Sequence, residues 1–224
     1  MPDRPANPAI PTIVVPLAFE EGWLRRLIPG LATRGQVVRC GLGRAGVRQT
    51  LPGLKPAGPV ILCGIAGGLV DAAPVGAAAW VSEAVTEGAT LRPDIVPAGV
   101  RLERLYASET LIETPRDKAL LAARTGTTMV DMETASFAEI ARERGWAWGV
   151  LRGVSDGPEH DFPPEIAGWI TPKGDLRRSR VTIDLVRKPR LLRAARELSR
   201  NGGVAMRAVA ELLSGWLGDR ERSR

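Results

Sequence analysis

Apolar positions along the chain fall into two alternating spacings. Short continuous apolar runs read as strands buried in a helix-covered sheet: Thr12 to Leu17 (TIVVPL), Gln36 to Cys40, Pro59 to Cys63 (PVILC), Ala77 to Ser82, about Arg101 to Ala107, and Trp146 to Val154. Other segments carry helical spacing. After Glu20-Glu21, a short helix runs through Trp23, Leu24, Leu27 and Ile28. Thr114-Pro115-Arg116-Asp117 opens another, with Thr as N-cap, Pro at the first helical position and an acid three residues after the cap; it ends near Gly126. From about Glu133 to Arg144, Ala135, Phe137, Ala138, Ile140 and Ala141 repeat at 3/4 spacing, and Gly145 stops the helix. Two last helices are predicted, about Pro189 to Arg200 and Val204 to Leu217, parted by Asn201-Gly202-Gly203. Leu191, Leu192, Ala195 and Leu198 stripe the first of these, and Val204, Ala208, Leu212 and Trp216 the second.

The junctions between these elements carry the candidate chemistry. Gly41-Leu42-Gly43-Arg44-Ala45-Gly46 follows the second strand as a literal G-x-G-x-x-G. A dinucleotide site would need an acid roughly 20 residues later to hold the ribose, and Val60 to Ala66 contains none. The turn still lets backbone N–H groups approach a ligand. Gly64-Ile65-Ala66-Gly67-Gly68-Leu69 follows the third strand and reads as a second glycine-rich loop. Asp131-Met132-Glu133 stands before the Glu133–Arg144 helix, and Ser155-Asp156-Gly157 follows the last strand at its carboxyl end, the rim where open α/β sheets bind ligands. Arg152, inside an apolar strand, needs a buried partner, and a structural ion pair is expected. His160, the only histidine, belongs to the Pro-rich loop from Glu159 to Pro164.

Length and composition change this picture little. The chain of 224 residues, 44% hydrophobic, is enough for one well-cored domain. The expected organisation is a flexible arm over 1–11, an α/β domain over 12–172 and a basic helical C-terminal extension of it over 173–224. No apolar run reaches the roughly 18 residues of a membrane span, and the proline-rich N-terminus does not resemble a secretory peptide. Cys40 and Cys63 make no metal-spaced pair and suit a reducing cytoplasm, so no metal and no cofactor are expected.

The charge of +6 is uneven: from Lys173 onward 14 Lys/Arg face 6 Asp/Glu, about +8, leaving about −2 (17 against 19) for the rest. Basicity therefore belongs to the tail, as a solvated helical face or as a surface for anionic lipid or a partner. Nucleic acid is not an expected partner.

Three blocks in order, Gly41-Leu42-Gly43, Gly64-Ile65-Ala66-Gly67-Gly68-Leu69, and Asp131-Met132-Glu133 with Val154-Ser155-Asp156, resemble the nucleoside phosphorylase and nucleosidase superfamily. The first strand with Ala18-Phe19-Glu20-Glu21 is similar to that family's N-terminal strand and acidic turn, so the resemblance covers about residues 12 to 160. Within it, the GIAGGL segment, the Pro-Pro loop and the Arg-rich tail look most like the hopanoid-associated branch, which releases adenine from adenosylhopane.

The resemblance implies a three-layer α/β fold with a twisted mixed central sheet and a helical C-terminal appendage. It implies cleavage of the N-glycosidic bond of a purine nucleoside, commonly by an oligomer. On this reading Asp156 is the general acid at purine N7, which requires burial to keep its proton, and Ser155 supports its carboxyl. Glu133, kept ionised at a helix entrance, accepts from the ribose hydroxyls, and Met132 packs on the sugar. Glu20 or Glu21 positions water in hydrolytic members, although Gly22 stands at the most direct register. Gly43, Arg44, Gly64 and Ile65 form the phosphate or water loop. Phosphorylases commonly carry Ser or Thr at the position of Ile65, and some carry Arg at Leu62, so phosphate as co-substrate and water both stay open.

An aspartic acid offers one donor and one acceptor, matching N7 and N6 of adenine better than N7 and O6 of guanine. A methylthioadenosine, adenosylhomocysteine or futalosine nucleosidase is the alternative to the adenosylhopane enzyme. A non-catalytic nucleoside- or lipid-binding module is the alternative of a different class. Cytoplasmic location, with possible docking of the basic tail at the inner membrane, completes the expectation.

Overall fold

A computed structural model describes residues 10–222. Residues 1–9 of the expected arm lie outside them. Pro11 is buried, and its carbonyl accepts from Gln36 N at 2.9 Å, so the end of the expected arm is tied to the second strand.

In chain order the strands are β1 (Thr12–Val15), β2 (Gln36–Arg39), β3 (Val60–Gly68), β4 (Ala78–Val85), β5 (Thr90–Leu91), β6 (Leu102–Ala107), β7 (Met129–Asp131) and β8 (Trp148–Asp156). The helices are α1 (Ala18–Leu27), α2 (Leu31–Arg34), α3 (Gly43–Thr50), α4 (Pro115–Thr125), α5 (Thr134–Glu143), α6 (Arg178–Arg187) and α7 (Leu191–Arg222). The sheet is mixed: β1, β2, β3 and β8 run parallel to their neighbours in that group, whereas β3 meets β7, and β4 meets β8, antiparallel. Because β8 pairs with both β3 and β4, the strands β3, β7, β6, β4 and β8 close on themselves, with β1 and β2 extending from β3.

Helices cover two faces. Val47 and Leu51, at the end of α3, and Phe137, Ala138 and Ile140 of α5 share one core with Val14, Leu62 and Val150. Leu24 and Ile28 share the other with Met206, Val209, Leu213 and Leu217 of α7 and with Ile13, Ile61 and Leu151. These are the three layers the resemblance implies, built from the strands and helices the spacings predict. The predicted cap of α4 is present, with Thr114 Oγ1 accepting from Asp117 N at 3.1 Å.

Two expectations are corrected. The segment Gly64 to Gly68 is not a loop but the continuation of β3, paired with β8 through Gly67. Its glycines leave room for other side chains rather than for a turn: a Cβ on Gly67 would lie 3.1 Å from Asp156 Oδ2. The two C-terminal helices are one, α7, running unbroken through Asn201-Gly202-Gly203. Those glycines are spaces for aromatic rings of α1, since Cβ atoms there would lie 3.1 Å from Phe19 and 2.9 Å from Trp23. The face α7 buries holds Ala205, Met206, Val209, Ala210, Leu213 and Leu217, and Val204 of the expected stripe is exposed. That face is packed on the sheet and is not free to enter a lipid surface. No helix among the described residues is long and apolar enough to cross a membrane.

Candidate active site

The first turn of α1 decides between two adjacent glutamates. Leu17 caps the helix in extended conformation, and Glu20 folds back to accept from Leu17 N at 2.7 Å. Its other oxygen accepts from Ile65 N of β3 at 2.8 Å, and the side chain is fully enclosed. Glu21, one residue on, turns outward to Arg25 at 2.9 Å, and Gly22 is exposed. Helical geometry sets adjacent residues about 100° apart, so only one of the two can face the sheet. Glu21 is therefore not a site residue.

Arg152 lies opposite Gly64 in the β3–β8 register and is completely buried. Its Nη2 bonds Asp131, and it bonds Glu133 Oε2 at 3.2 Å. Asp131 is held in place by Thr134, which donates from its backbone N at 3.2 Å and from Oγ1 at 2.5 Å. Glu133 reaches across to accept from Gly43 N at 2.7 Å, at the start of α3. Arg152 Nε and Nη1 have no hydrogen-bond partner among the described residues. Nη1 lies beside Glu20 in the space Gly64 leaves open: a Cβ there would be 2.4 Å from Glu20 Oε1 and 2.7 Å from Nη1. Arg152 is thus ion-paired as expected, and its unsatisfied Nη1 faces the same space as Glu20.

Burial sets the protonation of this group. Desolvation pushes Glu20 up to about 8, although the Arg152 charge and the Ile65 and Leu17 amides pull it down. Glu133 is pushed up to about 7 by burial and by Asp131, against the pull of Arg152. Burial thus opposes the ionisation expected of Glu133 at a helix entrance, while its ion pair with Arg152 and the Gly43 amide it reaches on α3 favour it. Burial works against the charge on Arg152, but Asp131, Glu133 and Glu20 outweigh it and hold the guanidinium more firmly protonated than usual.

Asp156 ends β8 on the other side of Gly67. Ser155 Oγ donates to Asp156 Oδ1 at 2.8 Å, and Lys118 Nζ to Oδ2 at 2.6 Å. Lys118 also donates to the Gly157 carbonyl at 2.8 Å and lies 5.3 Å from the centre of the Phe162 ring. Asp156 is buried and bonded by Ser155, as expected, and it is also ion-paired to Lys118. Lys118 escaped the sequence reading although it carried a signal: it stands three residues before Leu121, and these are the residues α4 buries, while Leu120 is exposed. His160 packs its ring edge-on to Phe162 at 4.8 Å.

Eight predicted residues therefore gather around β3: Glu20, Gly43, Gly64, Ile65, Met132, Glu133, Ser155 and Asp156. Met132 is half-buried against Gly43, with Cε 3.6 Å from where a Cβ would stand. Arg44 does not join them as an anion ligand; it pairs with Glu109 at 2.6 Å, both half-exposed or more. Within the expected phosphate or water loop, Gly43 N and Ile65 N already donate to carboxylates. A cavity of about 390 Å³ lined by Thr114, Phe162, Pro163 and Leu191 shares only Phe162 with these contacts. Among the described residues, no cluster of three or more His, Cys, Asp or Glu is arranged to hold a metal ion.

This fold, with its central mixed sheet and C-terminal helix, is the nucleoside phosphorylase/nucleosidase fold. The sequence profile of the phosphorylase superfamily matches residues 103–187, which include Asp131, Glu133, Arg152 and Asp156. Among solved structures, the chain is similar to a mutant Helicobacter pylori MTAN with 5′-methylthioadenosine in its active site (12% identity, 94% of this chain and 99% of that one, TM-score 0.66). It is similar to Helicobacter pylori futalosine hydrolase (12% identity, 93% and 97% covered, TM-score 0.64). Arabidopsis thaliana 5′-methylthioadenosine nucleosidase matches at 17% identity, with 95% and 96% covered and a TM-score of 0.64. A search of curated proteins by sequence finds no match. The profile match and the fold together support an enzyme that cleaves N-glycosidic bonds.

Proposed function

We propose that the chain hydrolyses the N-glycosidic bond of an adenine nucleoside. The observation that carries this reading is the Glu20 carboxyl, fixed by Leu17 N and Ile65 N beside the unsatisfied donors of Arg152. A water there can donate to Glu20 and accept from Arg152, which directs its remaining lone pair outward. With a proton affinity near 8, Glu20 is suited to take that proton close to neutral pH. Phosphate suits the place poorly, because the two amides that would bind it serve carboxylates and Arg44 lies elsewhere.

The remaining roles follow from the resemblance and fit the positions. Glu133 accepts from the ribose hydroxyls with Met132 against the sugar, and Asp156, steadied by Ser155, faces N7. As the C1′–N9 bond breaks, the sugar becomes oxocarbenium-like and N7 takes a proton. Water adds to C1′ and passes a proton to Glu20. The products are free sugar and neutral base.

Substrates named for the similar structures, 5′-methylthioadenosine, S-adenosylhomocysteine and futalosine, are the first to test. Adenosylhopane is the second reading. What favours it is the surface of α6 and the turn before it, where Leu176, Ile183 and Val186 are exposed near Arg178, Arg180 and Arg187, an apolar and basic surface suited to an anionic membrane. The test incubates the protein with each nucleoside, with and without phosphate, and separates free sugar from sugar 1-phosphate. Free sugar at an unchanged rate without phosphate is expected, and Asp156→Asn should slow release about 10²–10⁴-fold. Strict dependence on phosphate overturns hydrolysis; base release from none of the nucleosides, with binding retained, favours a non-catalytic binding module.

A further inference from the structure

Resting on the hydrolytic reading above, we infer that Lys118 and Asp156 act as one proton-donating unit, the Lys118 ammonium supplying the proton that Asp156 passes to the leaving base. The geometry leaves Asp156 little alternative. Both of its oxygens are engaged, Oδ2 by Lys118 Nζ at 2.6 Å and Oδ1 by Ser155 Oγ at 2.8 Å. At that distance the carboxylate and the ammonium form a buried ion pair. Alone, such a carboxylate can accept from adenine N6 but has no proton for N7. The ammonium has one, and it is in contact.

Lys118 is built for this position. Its side chain is 1% exposed, and its three donors face Asp156 Oδ2, the Gly157 carbonyl and the Phe162 ring. Against that ring packs His160, at 4.8 Å from Phe162, with the carboxylate of Glu197 of α7 3.9 Å from His160 Nδ1. On α4 itself, Asp117 is turned to Thr114 Oγ1 at 2.7 Å. Among the described residues no second carboxylate bonds Lys118, so its ion pair is with Asp156.

The step balances as follows. One proton leaves Lys118 Nζ for Asp156 Oδ2 while one passes from the Asp156 carboxyl to N7. The electron pair of the breaking C1′–N9 bond goes to the base, which leaves neutral, and Lys118 ends neutral. The attacking water leaves its second proton on Glu20. Release of that proton and uptake of one by Lys118 from solvent restore the enzyme, and the sum is nucleoside plus water to sugar plus base.

The test uses the full chain and an accepted adenine nucleoside, with Lys118→Met and Lys118→Arg beside the wild type. In wild type the alkaline limb of the kcat profile belongs to the pair. In K118M, Asp156 must carry the proton alone and loses it at lower pH. The variant should recover activity on the acid side and fall about tenfold per pH unit above its new limb, where wild type does not. K118R keeps the charge, but a guanidinium does not give up its proton, so it should not restore alkaline activity. A riboside with a 4-nitrophenolate leaving group needs no protonation and should be cleaved by both variants at near wild-type rates.

A loss in K118M that is equal at every pH and on both substrates, or full rescue by K118R, overturns the proposal and leaves Lys118 a structural partner. An unchanged K118M profile overturns it also. Should K118M fail to fold, as judged by its melting curve, K118R and the nitrophenyl riboside decide alone. Wild type that cleaves neither substrate overturns the hydrolytic reading itself, whereas wild-type turnover with a variant profile of unchanged shape overturns only the inference.

Discussion

Gly64→Ala is the most economical probe of the site, because it adds one methyl group where two functional side chains meet. That methyl would lie 2.4 Å from Glu20 Oε1, 2.9 Å from Glu20 Cδ and 2.7 Å from Arg152 Nη1. Arg152 is held by Asp131 and Glu133, so Glu20 is the group that must give, by about 1 Å to reach ordinary contact. That shift breaks its bonds from Leu17 N and Ile65 N. At about 1 kcal/mol each, their loss comes to about 2 kcal/mol, within the roughly 1–3 kcal/mol typical of overpacking. The catalytic effect should be larger, since misplacing a reacting group by about 1 Å costs on the order of 10²-fold in rate. Gly22→Ala in α1 is the matched control: nothing lies within 4 Å of its added methyl, and replacing a mid-helix glycine should stabilise by about 0.5–1 kcal/mol. Urea denaturation and initial rates of adenine release measure both quantities. A Gly64→Ala enzyme with near wild-type kcat would refute the placement of water between Glu20 and Arg152.

Two further outcomes are expected. Because the folded-state pKa of Glu20 (about 8) and of Glu133 (about 7) lie above the ordinary carboxylate value of about 4.5, the native state binds protons more tightly than the unfolded chain. Their contribution to stability is complete below about 4.5 and is lost as pH rises through about 7 to 8. Denaturant midpoints measured across that window should fall, and Glu20→Gln should flatten the decline; a midpoint that rises there contradicts the burial argument. Gly203→Ala improves helix propensity in α7 by about 1 kcal/mol, yet its methyl would sit 2.9 Å from Trp23, and the net effect on the melting temperature should be a decrease.

How much of the site is legible in the sequence depends on how local its causes are. Asp156 and Glu133 can be found because each sits where an apolar run or helical stripe ends, and those boundaries are written in neighbouring residues. Glu20 and Glu21 cannot be told apart that way. The deciding contact is Ile65 N, 45 residues away, and the rotation of α1 about its axis selects which residue meets it. Asn201-Gly202-Gly203 misleads for the same reason, since glycine usually ends helices and here makes room for Phe19 and Trp23. Lys118 is the sharpest case: a lysine in a helix is ordinarily solvated, and only its partner 38 residues later explains its burial.

By itself, then, the sequence determined the alternation of strands and helices, a helix-covered sheet and the two acidic junctions at element ends, because periodicity and caps act over a few residues. The tertiary structure alone decided that Glu20 faces inward, that Arg152 gathers Asp131 and Glu133 around one buried charge, and that Lys118 pairs with Asp156. Each of these is a contact between side chains from separate segments inside a dry core. There the loss of water makes the choice of partner decisive, and no local pattern records it.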